Sequence, residues 1–420
     1  TLIQAGFVYQ SREQYVFSHQ ADMARMKQCL FIGTQLLILV LTDACNQNCV
    51  YCQAGKGQVA HTSIEVCKKA IDMAVASPVS RMTIEFQGGE PTLNPDALYF
   101  SIPYAKRVFA ANGKKVDFAI VTNMTECNPT LLEWLITEDV HISTSLDGHK
   151  ALHDANRPLN VAKSSYDAWQ KGVSVYRSLC EAHGRIPRVS AIQTTTRASL
   201  KHPVEIVDAY LENGIDHLYV RPLTPLGCAK TRWQDIGYTA EEYLAFYRTL
   251  IDNLIERCMN GERVLEATAS LYLNRILNNN SVGHTEFRSP CGAAIGQIAV
   301  NYDGKVYTCD EGRMVANMGD PIFCIGTVDN SYQELMRSPV VHAVCTASCI
   351  EALPFCSDCV YNPYCATCPV VNYGLEGDLV SHDKDGYRCR IAYGIMDYLF
   401  HIIHNASPET MAVLLDWACD

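Results

Sequence analysis

The sequence predicts an α/β fold: a parallel sheet of six strand–helix repeats, then a helical bridge and a cysteine-rich segment. Three observations predict it. Short apolar, β-branched runs recur from Leu36 to Leu223. Stretches of helical periodicity separate them. Twenty cysteines are present, many at metal-ligand spacing.

The expected strands are Leu36–Leu41, Met82–Gln87, Val116–Thr122, Val140–Leu146, Val189–Thr194 and Leu218–Leu223. Between them the periodicity predicts helices over Ser63–Ala76, Pro95–Asn112, Pro129–Thr137, Tyr166–His183 and Pro203–Asn213. Asn213-Gly214 is a helix stop signal. Right-handed crossovers make such repeats a parallel sheet. A doubly wound sheet and a partial barrel both fit this periodicity. Either places function at the carboxyl ends of the strands. Polar or cysteine residues follow five of the six: Cys45, Cys49 and Cys52; Gly88, Gly89 and Glu90; Asn123; Ser145 and Asp147; and Arg221, with Leu223 beside it.

Residues 226–290 read as mostly helical. In Thr239–Met259 the stripe Tyr243, Phe246, Tyr247, Leu250, Leu254 and Ile255 is expected in the core. From Cys291 the texture becomes short strands, turns and cysteines, and Gly386–His404 returns to helix. The expected divisions are 1–34 (an extension), 35–225 (the repeats), 226–290 (the bridge), 291–395 (the cysteine-rich domain) and 396–420 (a terminal helix).

With 420 residues the chain can bury a large core. A net charge of −11 argues against a nucleic-acid partner. No apolar run reaches membrane-spanning length and no signal peptide is evident, so a cytoplasmic location is expected. Clustered cysteines without a secretion signal point to metal or cluster ligation rather than disulfides. Cys29, Cys67, Cys127, Cys180, Cys228, Cys258, Cys324 and Cys419 are isolated and read as small buried hydrophobes.

The first strand leads into CNQNCVYC, with Cys45, Cys49 and Cys52 spaced C-x3-C-x2-C. A cubane takes four thiolates. Three close cysteines leave one iron open for a small molecule, and a structural zinc site is the plainer alternative. Tyr51 is a packing aromatic that also shields the metal; His61 is a cap or a fourth ligand. Gly88-Gly89-Glu90-Pro91 follows the second strand. Its glycines permit close backbone approach, and Glu90 is placed to accept from an ammonium.

CNQNCVYC followed by GGEP in this repeat pattern resembles the radical S-adenosylmethionine (radical SAM) superfamily. The resemblance implies a partial (β/α)6 TIM-like barrel and a 4Fe–4S cluster held by Cys45, Cys49 and Cys52. S-adenosylmethionine (AdoMet) would chelate the open iron and be cleaved to a 5′-deoxyadenosyl radical. Gly88, Gly89 and Glu90 would meet its amino end. Asn123, Ser145, Asp147 and Leu223 would line the rest of that pocket.

The later cysteines resemble the SPASM extension of radical enzymes that modify peptides. By that pattern Cys356, Cys359, Cys365 and Cys389 would hold one auxiliary 4Fe–4S cluster. Cys291, Cys309 and Cys368 would hold another, three clusters in all. Two departures stand out: Cys365 and Cys368 are C-x2-C where the family often shows C-x3-C, and Gln297 occupies a position where some members carry a cysteine. The open position would go to substrate, a non-cysteine side chain, Cys345 or Cys349. Asp310, directly after Cys309, matches the proposed general base of related sulfatase-maturing enzymes; a turn carboxylate paired with Arg313 is the alternative.

The segments IEFQGGEPTLN, STSLDGHKALHDANRP, QTTTRASL, YVRPLTPLG, CGAAIGQIAVNYDGKVYTCDEGRM and CVYNPYCATCPV resemble the maturases of the His-Xaa-Ser peptide system. The implied substrate is a ribosomally made precursor peptide, and the implied chemistry an oxidative modification or cross-link. A flavodoxin or ferredoxin would supply electrons, and an auxiliary cluster can accept the surplus one. His153, Asn156, Arg157 and Arg221 are candidates for the pocket wall, or structural. The alternatives are a sulfatase-type maturase that oxidises Cys or Ser to formylglycine, and a non-catalytic iron–sulfur or zinc protein.

Overall fold

A computed structural model describes residues 9–17, 27, 30, 32–54, 59–126, 128–161, 163–280, 285–381 and 386–419. Part of the expected N-terminal extension, with Cys29 and Cys127, lies outside the described residues.

The six expected strands form: β1 (Leu36–Thr42), β2 (Arg81–Gly88), β3 (Lys115–Val121), β4 (Val140–Ser145), β5 (Ser190–Thr194) and β6 (His217–Arg221). They pair in parallel and in chain order. A doubly wound sheet reverses its strand order midway. This one does not, so its crossovers turn the same way throughout. The sheet continues at both ends. On one side β7 (Leu265–Glu266) pairs with β6. On the other, β8 (Gln297–Val300) pairs in parallel with β1, followed by antiparallel β9 (Lys305–Tyr307) and β10 (Cys324–Thr327). The result is one open ten-stranded sheet in the order β10-β9-β8-β1-β2-β3-β4-β5-β6-β7.

Local chemistry explains the intervening helices. The helix Ile64–Ala74 starts where the Ser63 side chain accepts from the Val66 N–H. Pro129–Thr137 has Asn128 as its cap and proline in the first turn. Pro203–Glu212 stops before Gly214, which has φ +62°. A reciprocal capping box between Thr239 and Glu242 opens Ala240–Met259, whose aromatic stripe is buried as expected.

β1 is apolar on both faces, and each face has its own core. Leu37, Leu39 and Leu41 pack into the large core under the helices. Ile38 and Val40 pack with Leu226, Cys291, Ala299, Tyr307, Cys309 and Val370. Full burial of each such aliphatic side chain contributes about 1.5–3 kcal/mol. The cysteine-rich segment is therefore part of the main body's core.

The bridge is mostly helical, as expected, and its residues Leu265–Glu266 join the sheet. Glu266 is fully buried there and accepts from Tyr247 Oη (2.5 Å), Ala269 N (2.8 Å) and Val220 N (3.2 Å). One helix spans Tyr387–Asn405, and the expected division at 395–396 lies inside it, directly after the buried Gly394. Of the cysteines expected to be small buried hydrophobes, Cys67 and Cys180 are buried, Cys228, Cys258 and Cys324 are only half-buried, and Cys419 is exposed. No helix among the described residues is long and apolar enough to cross a membrane.

Candidate active site

The loop after β1 brings Cys45, Cys49 and Cys52 within electrostatic reach of one another. Burial pushes the Cys45 thiol up to about 11 and Cys49 up to about 12. Both thiols therefore stay protonated until a metal or cluster lowers them. Asn123, after β3, directs Nδ2 to Asn46 Oδ1 (2.7 Å) and toward Cys45 Sγ (3.9 Å). His61 is exposed and bridges to Thr42 through its backbone.

The glycines after β2 are required by this loop. A Cβ on Gly88, at φ +145°, would lie 2.2 Å from Thr42 O. One on Gly89 would lie 2.3 Å from Ala44 O. Gly89 N donates to Thr42 O and Glu90 N to Ala44 O, stitching the loop to the second strand end. Glu90 is 1% exposed. Its carboxylate accepts from Thr92 N (3.1 Å), Thr92 Oγ1 (2.7 Å), Thr122 Oγ1 (2.8 Å) and Asn123 N (2.7 Å). In this structure Glu90 joins the ends of β2 and β3.

Asp147 is likewise enclosed. It accepts from Tyr51 Oη (2.6 Å), Arg157 Nε (3.0 Å) and Thr194 N (3.3 Å). Ser145 ends β4 half-buried. Leu223 N donates to Tyr238 Oη (2.6 Å).

His153 accepts from Asp147 N at Nδ1 (3.3 Å), and its Nε2 is buried without a partner. Burial is the main cause that lowers it to about 4. A histidine kept neutral in the fold is stabilising above its unfolded value, near 6.5. That contribution is lost as pH falls from about 6.5 to about 4, and amounts to about 3 kcal/mol. The urea midpoint is expected to fall across that window and to flatten in His153→Gln. An unchanged pH profile in the variant would count against it.

The later cysteines form two further groups. Cys291, Cys309 and Cys368 act on one another, and Glu311 acts on all three. Burial, then Glu286 and Asp310, pushes the Glu311 carboxyl up to about 7, opposed by Arg221. Arg221 binds Glu286 through both carboxylate oxygens at 3.1 Å. Cys365 is pushed up to about 12 by burial, with Cys389, Cys356 and Cys359 beside it. Cys345 and Cys349 face each other, with Arg288 next to Cys345. Asp310 opens the helix Asp310–Asn317 and pairs with Arg313 at 2.6 Å. Sequence reasoning missed Glu311 and Glu286. Glu311 directly follows Asp310 at a helix start, but nothing local marks what it faces.

Among the described residues, no three His, Cys, Asp or Glu side chains converge on a single ion. A cubane spreads its ligands over separate corners, so loosely spaced thiols in three groups, most of them buried or half-buried and Cys389 exposed, fit that larger object.

Residues 39–186 match the Radical SAM superfamily. That match defines a radical SAM-type core, and the chain, with a cysteine-rich extension consistent with a SPASM domain, is similar to radical SAM enzymes of the peptide- and protein-maturase families. That class binds AdoMet and at least one iron–sulfur cluster. Among its relatives is the cysteine-type anaerobic sulfatase-maturating enzyme of Clostridium perfringens, 22% identical over 283 residues, which are 66% of this chain and 74% of the relative. A mycofactocin maturase of Mycobacterium ulcerans is 27% identical over 273 residues, 64% of this chain and 66% of the relative. An uncharacterized protein of Methanocaldococcus jannaschii is 30% identical over 146 residues, 35% of this chain and only half of the relative. The fold matches the solved anSMEcpe with bound AdoMet and Kp18Cys peptide, with TM-score 0.73 at 19% identity over 91% of this chain and 99% of that one.

Proposed function

We propose that this enzyme uses AdoMet to oxidise a side chain in a peptide or protein substrate. The observation that carries the reading is three cysteine groups around one sheet, the first beside the strand ends. Cys45, Cys49 and Cys52 hold a 4Fe–4S cluster. Cys291, Cys309 and Cys368 hold a second, with Glu311 the non-cysteine candidate for its remaining position. Cys356, Cys359, Cys365 and Cys389 hold a third. With AdoMet bound and an electron from a flavodoxin- or ferredoxin-like donor, a cluster held by Cys45, Cys49 and Cys52 would supply the one-electron cleavage of AdoMet that permits hydrogen abstraction from the substrate, and an auxiliary cluster would accept the surplus electron. Gly88, Gly89, Glu90, Asn123, Ser145, Asp147 and Leu223 shape the AdoMet side of the pocket. Asp310, once freed from Arg313, takes the substrate proton. The work is done in the cytoplasm.

Formylglycine formation from Cys or Ser is the reading the relatives favour, given the sulfatase-maturating enzyme and the peptide-bound fold match. Cross-linking of a His-Xaa-Ser peptide is the second reading, favoured by the segment resemblances above. Anaerobic incubation with a Cys-containing sulfatase-type peptide, its Ser counterpart and a His-Xaa-Ser peptide separates them. Tandem mass spectrometry is expected to place an aldehyde at the Cys or Ser. Loss of two hydrogens bridging two residues of the His-Xaa-Ser peptide, with the other two unchanged, would transfer the assignment to the second reading. No change in any peptide despite 5′-deoxyadenosine release would count against both.

A further inference from the structure

The segment HDANRP lies outside the cysteine motif, yet it and its continuation run along the cysteine loop from Cys45 to Val50. Val50 N donates to Asn156 O (2.9 Å), Asn48 N to Pro158 O (2.7 Å) and Asn160 N to Asn46 O (2.9 Å). Gln47 and Leu159 form an antiparallel bridge, and Asn160 Nδ2 donates to Cys45 O (2.9 Å). A loop that must present three thiols in fixed positions is thereby held by an antiparallel bridge and the hydrogen bonds on either side of it.

Arg157 sits in the middle of this clamp, with its side chain 9% exposed. Its Nε is 3.0 Å from Asp147 Oδ1. The guanidinium carbon lies 5.2 Å from the centre of the Tyr51 ring, between Cys49 and Cys52 in sequence. Tyr51 Oη closes the circuit on Asp147 Oδ2 at 2.6 Å. Arg157 is the largest charge acting on the Cys49 thiol, ahead of Asp147.

We propose that Asn156–Asn160 is the clamp that fixes the cysteine loop, and that Arg157, held by Asp147 and Tyr51, is a positioning residue that sets the reduction potential of the cluster on Cys45, Cys49 and Cys52. The inference rests on the reading of those cysteines as cluster ligands. Reduction adds one negative charge to an anionic cluster, and net charge nearby sets its potential. A buried guanidinium favours the reduced form; a buried carboxylate disfavours it. Arg157 and Asp147 therefore act with opposite sign, which a purely structural role for the pair would not produce.

The test is an anaerobic redox titration of the reconstituted full chain, following the electron paramagnetic resonance signal that changes when AdoMet is added. Arg157→Gln is expected to move its midpoint to more negative potential, and Asp147→Asn to more positive. Arg157→Lys stays nearest the parent. Shifts of the same sign in Arg157→Gln and Asp147→Asn, or no shift in either, overturn the proposal. If Arg157→Gln takes up no iron, Asp147→Asn decides alone: a positive shift supports the proposal, and a negative or absent one overturns it. A control separates this from failure of the underlying reading, because a Cys49→Ala chain that keeps the AdoMet-sensitive signal refutes the ligand assignment itself.

Discussion

Replacing Cys45, Cys49 and Cys52 together by alanine is expected to abolish 5′-deoxyadenosine release and leave the fold in place. The thiols contribute only weak contacts to the loop, Gln47 N to Cys45 Sγ (3.4 Å) and Cys49 Sγ to Gln47 Oε1 (3.6 Å). The loop's backbone is held by Asn156, Pro158 and Asn160 on one side and by Gly89 and Glu90 on the other. The variant should therefore keep its circular dichroism spectrum while losing roughly four irons per chain. Iron at the two later groups should remain, because those cysteines come from segments beyond residue 290. Two measurements decide: iron per chain after anaerobic reconstitution, and 5′-deoxyadenosine after dithionite reduction with AdoMet. Undiminished release would refute the assignment of the radical cluster to this loop. Loss of all iron with an altered spectrum would refute its independence from the later groups.

The second large effect is expected from Glu90→Ala. The carboxylate is 1% exposed and receives four hydrogen bonds, two of them from backbone N–H groups. Each donor left unsatisfied costs about 1–3 kcal/mol, reduced where the chain relaxes or water enters. A net loss of about 3–5 kcal/mol follows for the Ala variant. Glu90→Gln keeps one acceptor and turns an amide toward donors, so its loss is smaller but in the same direction. Asn123 is released in both, and with it the contact to Asn46 and Cys45. Urea unfolding measures the first effect and iron uptake the second. An Ala variant within about 1 kcal/mol of the parent would show that the strand-end tie contributes little.

Much of this molecule is legible in its order of residues. The six strands fall where β-branched and apolar residues crowd together. Asn128-Pro129 and Ser63 mark helix starts by supplying the acceptor or the fixed φ that a first turn needs. The strand Leu265–Glu266 is not legible, because two residues carry no period of their own. It exists because β6 offers an unpaired edge and Tyr247 a hydroxyl. Asp147 reads as a strand-end carboxylate open to a ligand. In the fold its partners come from Tyr51, Arg157 and Thr194.

Short-range chemistry alone determined the strands, the caps and the spacing of the thiols, since each depends on neighbours within a turn or a strand. Only the packed chain decided which charge faces which thiol. Tyr51 and Asp147 are 96 residues apart, and a hydrogen bond or Coulomb term depends on the distance in space that folding sets. The cysteine loop is the meeting point: its ligands are written in eight consecutive residues, and its clamp and its charge are supplied from a hundred residues away.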